Sequence, residues 1–239
     1  MQAASLRASG LCGGYGPNQV LHGVSIAAAP GTICGLVGPN GAGKTTLLKA
    51  LYGILPLYSG SVVLDGKEIT RIPVRERPVI GIGYVPQERN VFPNLTVNEN
   101  LELAGHTIKG NSGALALKER LDYVFTLFPR LAERRSQLAG LMSGGEQRMV
   151  ALGIGLIARP RLLLLDEPTT GLAPIFVHSL MQTIHSLCKQ DGITAILVEQ
   201  NIASLLTIAT SIVILKEGKV LESTITPEQL SSKKIWEYL

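Results

Sequence analysis

A glycine-rich run near the start of the chain has the residue types and spacing that bind phosphate. Residues 38–45 read Gly-Pro-Asn-Gly-Ala-Gly-Lys-Thr and fit the pattern G-x-x-x-x-G-K-[ST]. Glycines allow backbone angles that a β-carbon forbids, so the loop amides can turn inward around an anion. Lys44 is then expected to reach the β- and γ-phosphates of a nucleotide, and Thr45 to hold Mg²⁺. The expected phosphate-binding residues are Gly38, Pro39, Asn40, Gly41, Ala42, Gly43, Lys44, Thr45 and Thr46.

The segments on either side of this run have the order that such a loop needs. Residues 33–37 form an uninterrupted apolar run typical of a buried strand, and residues 45–51 predict the start of a helix. A glycine-rich turn that binds nothing is the alternative interpretation. The flanking strand and helix disfavour it, because they bring the loop amides and the positive end of the helix to the same anion.

A second motif stands near the middle of the chain. Residues 142–147 read Met-Ser-Gly-Gly-Glu-Gln and open a long apolar helix. Ser143 and Glu146 have the spacing of a capping box, so one interpretation is a plain helix N-cap. Gly144 and Gly145 also leave bare amides at the positive end of the helix, which makes an anion site far from Lys44 in the sequence.

A third motif ends a predicted central strand. Residues 162–165 are four leucines, which suit a parallel strand buried on both faces. Asp166 and Glu167 follow at the C-terminal end of this strand, where α/β sheets place their ligand chemistry. The two carboxylates could instead cap the next helix. The phosphate-binding run disfavours that alternative.

The other predicted elements surround these motifs. Strands are predicted at 5–8, 20–28 and 61–64 as an antiparallel layer, and at 80–85, 161–166, 193–198 and 211–215, with a hairpin turn at 216–219. Helices are predicted from the capping box at 96–99, over 118–128, 144–158, 174–189 and 202–209, and from a second capping box at 226–229.

The three motifs in this order resemble the ATP-binding-cassette (ABC) ATPase family over nearly the whole chain. The resemblance implies an α/β fold, a P-loop NTPase cassette with an antiparallel β subdomain and an inserted helical subdomain. It predicts a single ABC ATPase domain over residues 1–239. Residues 1–87 and 159–239 are expected to form the α/β core with its β-layer, and residues 88–158 the helical subdomain with the signature.

The resemblance also implies ATP and Mg²⁺ as ligands and assigns roles to single residues. Asp166 is expected to bind Mg²⁺ through water opposite Thr45, and Glu167 to act as general base on the attacking water. Tyr15 is expected to stack on the adenine ring, the alternative being a surface tyrosine in a turn. Gln87 is expected to contact Mg²⁺ and the attacking water, and to couple the nucleotide state to movement of the helical insert.

Partners follow from the same resemblance. Cassettes of this family pair head to tail, so Ser143, Gly144 and Gly145 are expected to close over the γ-phosphate held by a second ABC ATPase subunit, identical or different. Two integral-membrane permease subunits, and indirectly a substrate-binding protein, complete the expected assembly. The chain is therefore expected at the cytoplasmic face of the inner or plasma membrane, held there by the permeases.

Two positions depart from the usual family pattern. Gln200 stands where typical relatives carry a histidine that contacts the γ-phosphate, and Pro174 stands where many carry aspartate. A neutral amide donates a hydrogen bond but carries no charge, so this site is expected to be the slower of two, and Gln200→His to raise or at least not lower hydrolysis. The competing interpretation is that Gln200 is fully adapted and bridges the γ-phosphate and Glu167.

The same departures narrow the resemblance. Residues 142–147, 171–174 (Gly-Leu-Ala-Pro) and 198–201 (Val-Glu-Gln-Asn) look like one ATPase subunit of importers for branched-chain or hydrophobic amino acids. A urea or short-chain amide importer is the nearest alternative. A soluble ABC ATPase of DNA repair or translation is a third, disfavoured because the chain has neither a long coiled coil nor a second cassette. A module that binds ATP without hydrolysis is opposed by Lys44, Asp166 and Glu167.

Composition excludes other classes of function. The 22 basic and 18 acidic residues give a net charge of +4 without a long basic block, so no nucleic-acid partner is expected. No apolar stretch approaches the roughly eighteen residues of a membrane span, and the first residues lack the apolar core of a signal peptide. The three scattered cysteines are expected to be buried thiols in a reducing compartment.

Overall fold

The computed structural model describes residues 3–88, 91–106, 114–227 and 229. Its strands are β1 (Leu6–Tyr15), β2 (Asn18–Ala28), β3 (Ile33–Val37), β4 (Leu57–Leu64), β5 (Lys67–Glu68), β6 (Ile82–Val85), β7 (Leu162–Asp166), β8 (Thr194–Val198), β9 (Ser211–Lys216) and β10 (Lys219–Ile225). Its helices are α1 (Lys44–Tyr52), α2 (Val97–His106), α3 (Ala114–Leu127), α4 (Pro129–Glu133), α5 (Gly144–Leu156), α6 (Pro174–Gln190) and α7 (Ile202–Leu206).

The strands form two sheets. A six-stranded sheet has the order β10-β9-β3-β8-β7-β6, in which every neighbouring pair except β10 and β9 is parallel. A four-stranded antiparallel sheet has the order β2-β1-β4-β5. This second sheet is the antiparallel layer that the sequence predicts.

Alternating side chains of the six-stranded sheet separate two hydrophobic cores. Leu163 and Leu165 belong to the first core, which they share with helices α2, α3, α5 and α6. Leu162 and Leu164 belong to the second core, which they share with α1 and the four-stranded sheet. Because side chains two apart on a strand share a face, Asp166 lies on the same side as Leu164, the side that α1 covers.

A buried polar side chain fixes the start of β8. Thr194 is fully buried, and its hydroxyl donates to the Ala4 carbonyl oxygen at 2.6 Å and accepts from the Gly31 amide at 2.9 Å. Thr194 pairs with Leu162 at one end of the β7–β8 ladder, and Val198 pairs with Asp166 at the other. The hydrogen bonds of Thr194 therefore anchor β8, the strand with which β7 pairs where Asp166 lies.

The helices between β6 and β7 pack onto the same core as the sheet. Leu101 of α2, Val124 of α3, Leu131 of α4 and Val150 of α5 are fully buried in the first core. The predicted helical insert is thus present and shares its hydrophobic interior with the sheet. The division into residues 1–87, 88–158 and 159–239 stays a prediction.

Several predicted boundaries shift. The helix predicted over 202–209 ends at Leu206, because the next amide, that of Thr207, turns back to the Ser204 carbonyl at 3.3 Å instead of extending the helix. Pro129, predicted only to end a helix, also begins α4, where its fixed φ suits the first position. The Thr226–Gln229 capping bonds are present, while residues 230–239 of the helix predicted there lie outside the described residues.

The cysteines and the helices test the predictions about buried thiols and membrane spans. Cys34 and Cys188 are buried as predicted, whereas Cys12 is only half-buried and corrects that prediction, because it lies in the antiparallel sheet rather than in a core. Within the described residues, none of the helices combines the length and apolarity needed to span a bilayer.

Truncating the central strand tests the two-core packing. Leu164 is fully buried in the second core, so Leu164→Ala is expected to lower the free energy of unfolding by about 2–5 kcal/mol through lost burial and a residual cavity. Leu141→Ala is the matched control, because Leu141 is 72% exposed and its loss should change stability by less than about 0.5 kcal/mol. Urea unfolding of both variants measures the difference, and equal values would contradict the packing described.

Candidate functional site

The glycine-rich loop joins β3 to α1 and holds a buried lysine. Gly43 caps α1 with φ of 99°, a backbone angle that favours glycine. Lys44 is only 6% exposed, and its Nζ donates to the carbonyl oxygens of Gly38 at 2.7 Å and Pro39 at 3.0 Å. Burial lowers the pKa of Lys44, and the carboxylates of Glu167 and Asp166 oppose that shift. The loop therefore curls around a buried cation.

The first glycine of the loop is required by a close approach of backbone. A β-carbon at Gly38 would lie 2.0 Å from the carbonyl oxygen of Leu215 in β9. Real β-carbons do not approach a carbonyl that closely, so any side chain here would push the loop away from β9. The loop keeps its position against the sheet only with glycine at this residue.

Thr45 and Asp166 bring two oxygen ligands together. The Thr45 hydroxyl donates to Asp166 Oδ1 at 3.1 Å, and Asp166 is 1% exposed. Burial and then the nearby Glu167 raise the pKa of Asp166, against hydrogen bonding from Thr45. A hydroxyl and a carboxylate at the mouth of a phosphate loop are oxygen donors of the kind that Mg²⁺ takes. The residues present therefore fit the metal that the sequence predicts.

Glu167 follows β7 with a strained backbone and a crowded carboxylate. Its φ is 47°, a left-handed value rare for a residue with a side chain, and its amide donates to the Val198 carbonyl at 2.9 Å. Glu167 Oε2 accepts from Gln200 Nε2 at 2.7 Å, Gln87 Nε2 at 2.8 Å and the Thr170 hydroxyl at 3.1 Å. Three donors from separate segments thus fix the orientation of one carboxylate.

Gln87 is tied to the helical region as well as to Glu167. The guanidinium of Arg148, on α5, donates to the Gln87 carbonyl oxygen. Arg148 is half-buried, and burial lowers its pKa while Glu199 and Glu167 oppose the shift. The segment after β6 therefore contacts both the carboxylate at the end of β7 and the helix that begins with Ser143.

A cleft of about 380 Å³ lies over the loop. Its lining residues are Val20, Asn40, Gly41, Ala42, Gly43, Lys44, Thr45, Thr46, Gln87, Glu167 and Gln200. Most of the predicted phosphate residues and all three side chains of the Gln87–Glu167–Gln200 contact are thus in one place. Gly38 and Pro39 lie behind the cleft as acceptors for Lys44, and Asp166 is buried beside Thr45.

Tyr15 and the signature residues lie outside the lining of this cleft. Tyr15 is 49% exposed at the end of β1, and Lys49 of α1 lies over its ring at 5.9 Å. Ser143 and Gly144 are exposed, whereas Gly145 is buried against Phe176. Within this chain, the structure does not bring Ser143 to the phosphate loop.

The start of α5 is nevertheless held rigidly. Ser143 Oγ and the Glu146 amide form the predicted capping box, and Glu146 Oε2 accepts from the Ser143 amide at 3.0 Å. Glu146 Oε1 forms ion pairs with Arg130 at 3.3 Å and Arg134 at 3.4 Å. Although burial raises the pKa of Glu146, its bonds with Ser143 and the two arginines hold that pKa below the usual value.

Sequence reasoning missed four participants. Thr170 lies three residues after Glu167, a spacing that could have indicated a local hydrogen bond. Buried Glu199 accepts from the Thr169 amide at 3.1 Å and the Thr169 hydroxyl at 2.7 Å, which anchors the segment after β7. Arg148 and Val20 come from distant elements, and no local pattern marks them.

A protein-family model and several relatives match the chain. The model, described as ABC transporter, matches residues 21–170. The chain is 41% identical to the high-affinity branched-chain amino acid transport ATP-binding protein BraG of Pseudomonas aeruginosa, covering 92% of this chain and 93% of the relative. It is 38% identical to the probable branched-chain amino acid transport ATP-binding protein LivF of Archaeoglobus fulgidus, covering 96% and 95%. It is 35% identical to the lipopolysaccharide export system ATP-binding protein LptB of Haemophilus influenzae, covering 94% and 92%.

The fold agrees with these sequence matches. A crystal structure of a nucleotide-free ATP-binding cassette from an ABC transporter matches with a TM-score of 0.84 at 27% identity, covering 100% of this chain and 98% of that chain. The predicted fold class and the resemblance are therefore confirmed. The family model covers well over half of the chain, and the chain belongs to the ABC transporter family, whose cassettes are ATP-hydrolysing transport ATPases.

Proposed function

We propose that this chain binds ATP with Mg²⁺ and hydrolyses it to drive an ABC importer of branched-chain or other hydrophobic amino acids. The observation that carries the catalytic part is the placement of Glu167. Its carboxylate is held by Gln87 and Gln200 at the edge of the cleft whose floor is the loop with buried Lys44. Hydrolysis needs a phosphate anchor and a positioned base, and the cleft contains a candidate for each.

Each candidate has a defined role in the proposal. Lys44 and the loop amides bind the phosphates, and Gln87, Thr45 and Asp166 supply oxygen ligands for Mg²⁺, which neutralises phosphate charge when it is bound. Glu167 takes a proton from the water that attacks the γ-phosphate. Tyr15, exposed beside α1, stacks on the adenine ring.

The exposed start of α5 supports a partner in the reaction. Ser143 and Gly144 face solvent at a helix N-terminus that is rigidly capped, and they do not line the cleft of their own chain. An anion site of this kind suits the γ-phosphate of a second cassette paired head to tail. We place two permeases and a substrate-binding protein around this pair, at the cytoplasmic face of the membrane.

The substrate class depends on the relatives and the motifs. The relatives at 41% and 38% identity are named for branched-chain amino acid transport, which agrees with the Gly-Leu-Ala-Pro and Val-Glu-Gln-Asn runs. Urea or short-chain amide uptake is the competing substrate class.

Removing the proposed base separates binding from hydrolysis. Glu167→Gln is expected to keep ATP affinity and to lower single-turnover hydrolysis about 10²–10⁴-fold, because an amide cannot accept the proton. With Mg-ATP this variant should also dimerise, alone or with a second cassette, as measured by light scattering. Lys44→Ala is the contrasting variant, because it should weaken ATP binding itself. Near-normal hydrolysis by Glu167→Gln would remove Glu167 from the base role, and a monomer under every condition would contradict the pairing.

The contact between Gln200 and Glu167 favours the interpretation that Gln200 is adapted to this site. Gln200→Met keeps a similar length without a donor, and it should lower steady-state hydrolysis at least roughly tenfold, since a hydrogen bond to a charged group contributes about 1.5–3 kcal/mol. On this interpretation Gln200→His should also lower hydrolysis, because the ring would not fit where the amide bridges the γ-phosphate and Glu167, whereas the slower-site interpretation expects hydrolysis to be kept or raised. Wild-type activity in the methionine variant, with ATP binding intact, would show that the amide contact is irrelevant to turnover.

Uptake by cells tests the substrate class. A strain that lacks this chain is expected to lose saturable uptake of radiolabelled leucine and valine, and a plasmid with the wild-type chain should restore it. A plasmid with Glu167→Gln should not restore it, because transport depends on hydrolysis. Unchanged leucine uptake together with lost urea or amide uptake would reassign the substrate.

A further inference from the structure

The hydroxyl of Tyr84 is a buried hydrogen-bond donor. Its oxygen is shielded from solvent and makes no hydrogen bond with any of the residues that the structure describes. A buried tyrosine hydroxyl usually finds a partner, because leaving a polar group unpaired costs about 1–3 kcal/mol. The proposed mechanism gives Tyr84 no role, so the unpaired hydroxyl needs another explanation.

The strand register directs this side chain toward Asp166. Tyr84 of β6 pairs with Leu164 of β7, and Asp166 stands two residues further along β7 on the same face. The Tyr84 ring packs on the second core and against the ring of Tyr52 in α1, with centroids 5.2 Å apart. Burial raises the pKa of Tyr84, and the Asp166 carboxylate raises it further, both through its charge and as an acceptor close to the hydroxyl. The hydroxyl is therefore a neutral donor held close to a carboxylate.

The Asp166 carboxylate is held by a side-chain hydrogen bond to one of its two oxygens. Thr45 donates to Oδ1 of Asp166, and the Tyr84 hydroxyl is a further donor placed close to this carboxylate. A carboxylate fixed through one oxygen only can still rotate about its terminal torsion, which is broad. A buried donor without a partner among the described residues thus lies beside the carboxylate of the proposed metal ligand.

We propose that Tyr84 is a positioning residue for the metal: in the nucleotide-bound state its hydroxyl donates to the Asp166 carboxylate and fixes its orientation opposite Thr45. This inference rests on the proposed function, because it assumes that Asp166 faces Mg²⁺. Residues that orient metal ligands in this way commonly affect metal affinity about 10–100-fold. Tyr84 itself touches neither the phosphates nor the metal in this arrangement.

The test compares nucleotide affinity with and without metal. The probe is adenylyl imidodiphosphate, an ATP analogue that is hydrolysed slowly, titrated into the full chain by calorimetry in EDTA and in saturating Mg²⁺. Tyr84→Phe is expected to bind the analogue like wild type in EDTA and roughly tenfold more weakly in Mg²⁺. The EDTA titration also shows that the variant is folded and that its phosphate loop is intact.

Tyr52→Phe is the matched control. It removes a hydroxyl from the other ring of the same pair, and that hydroxyl interacts with Arg77 rather than Asp166. It should match wild type in both titrations. The inference is overturned if Tyr84→Phe binds normally in Mg²⁺, if it loses as much affinity in EDTA as in Mg²⁺, or if Tyr52→Phe shows the same loss. If wild type itself gains no affinity from Mg²⁺, the proposed Mg-ATP function fails first and this inference fails with it.

Discussion

The buried ammonium group of Lys44 is the constraint on which the rest of the site depends. Taking such a charge out of water costs several kcal/mol unless it is compensated. Here the carbonyls of Gly38 and Pro39 accept from it, and Asp166 and Glu167 lie near enough to oppose the effect of burial. A phosphate oxygen is a stronger partner for Lys44 than a neutral carbonyl, because both groups of that bond are charged. The loop therefore holds a buried charge that a phosphate oxygen compensates better than the loop's own carbonyls do.

The phosphate loop, the central strand and the three capping boxes could be predicted because each depends on neighbouring residues. The convergence on Glu167 could not be derived in that way. Gln87 and Gln200 stand 80 and 33 residues from Glu167, and they meet it only because β6, β7 and β8 are neighbours in the sheet. Strand order is a property of the whole fold, and spacing along the chain does not contain it. For Gln87 and Gln200, the resemblance indicated the residues, whereas the hydrogen bonds came from the structure.

Helix α5 connects the exposed Ser143 with the segment after β6 that contains Gln87. Its N-cap is the exposed Ser143, which forms a capping box with Glu146. Arg148, in the second turn, donates to the Gln87 carbonyl oxygen. A helix is stiff over this length because its backbone hydrogen bonds leave little freedom between successive turns. A displacement of its exposed end would therefore also move the Arg148 contact with the segment that holds Glu167 through Gln87. Movement of helix α5 alone would therefore affect both Ser143 and the Gln87 segment.

The buried hydroxyl of Thr194 has a consequence for how reliably the site forms. A slip of one residue between β7 and β8 would turn Asp166 toward the opposite face of the sheet, away from Thr45. Thr194 lies on the other strand of this pair, and moving β8 instead would separate it from Ala4 and Gly31 and leave a polar group unpaired in the interior. The bonds of Thr194 therefore hold β8 in place, and β7 takes its register from that fixed strand. A side chain that lies outside the cleft thus contributes to placing the proposed metal ligand.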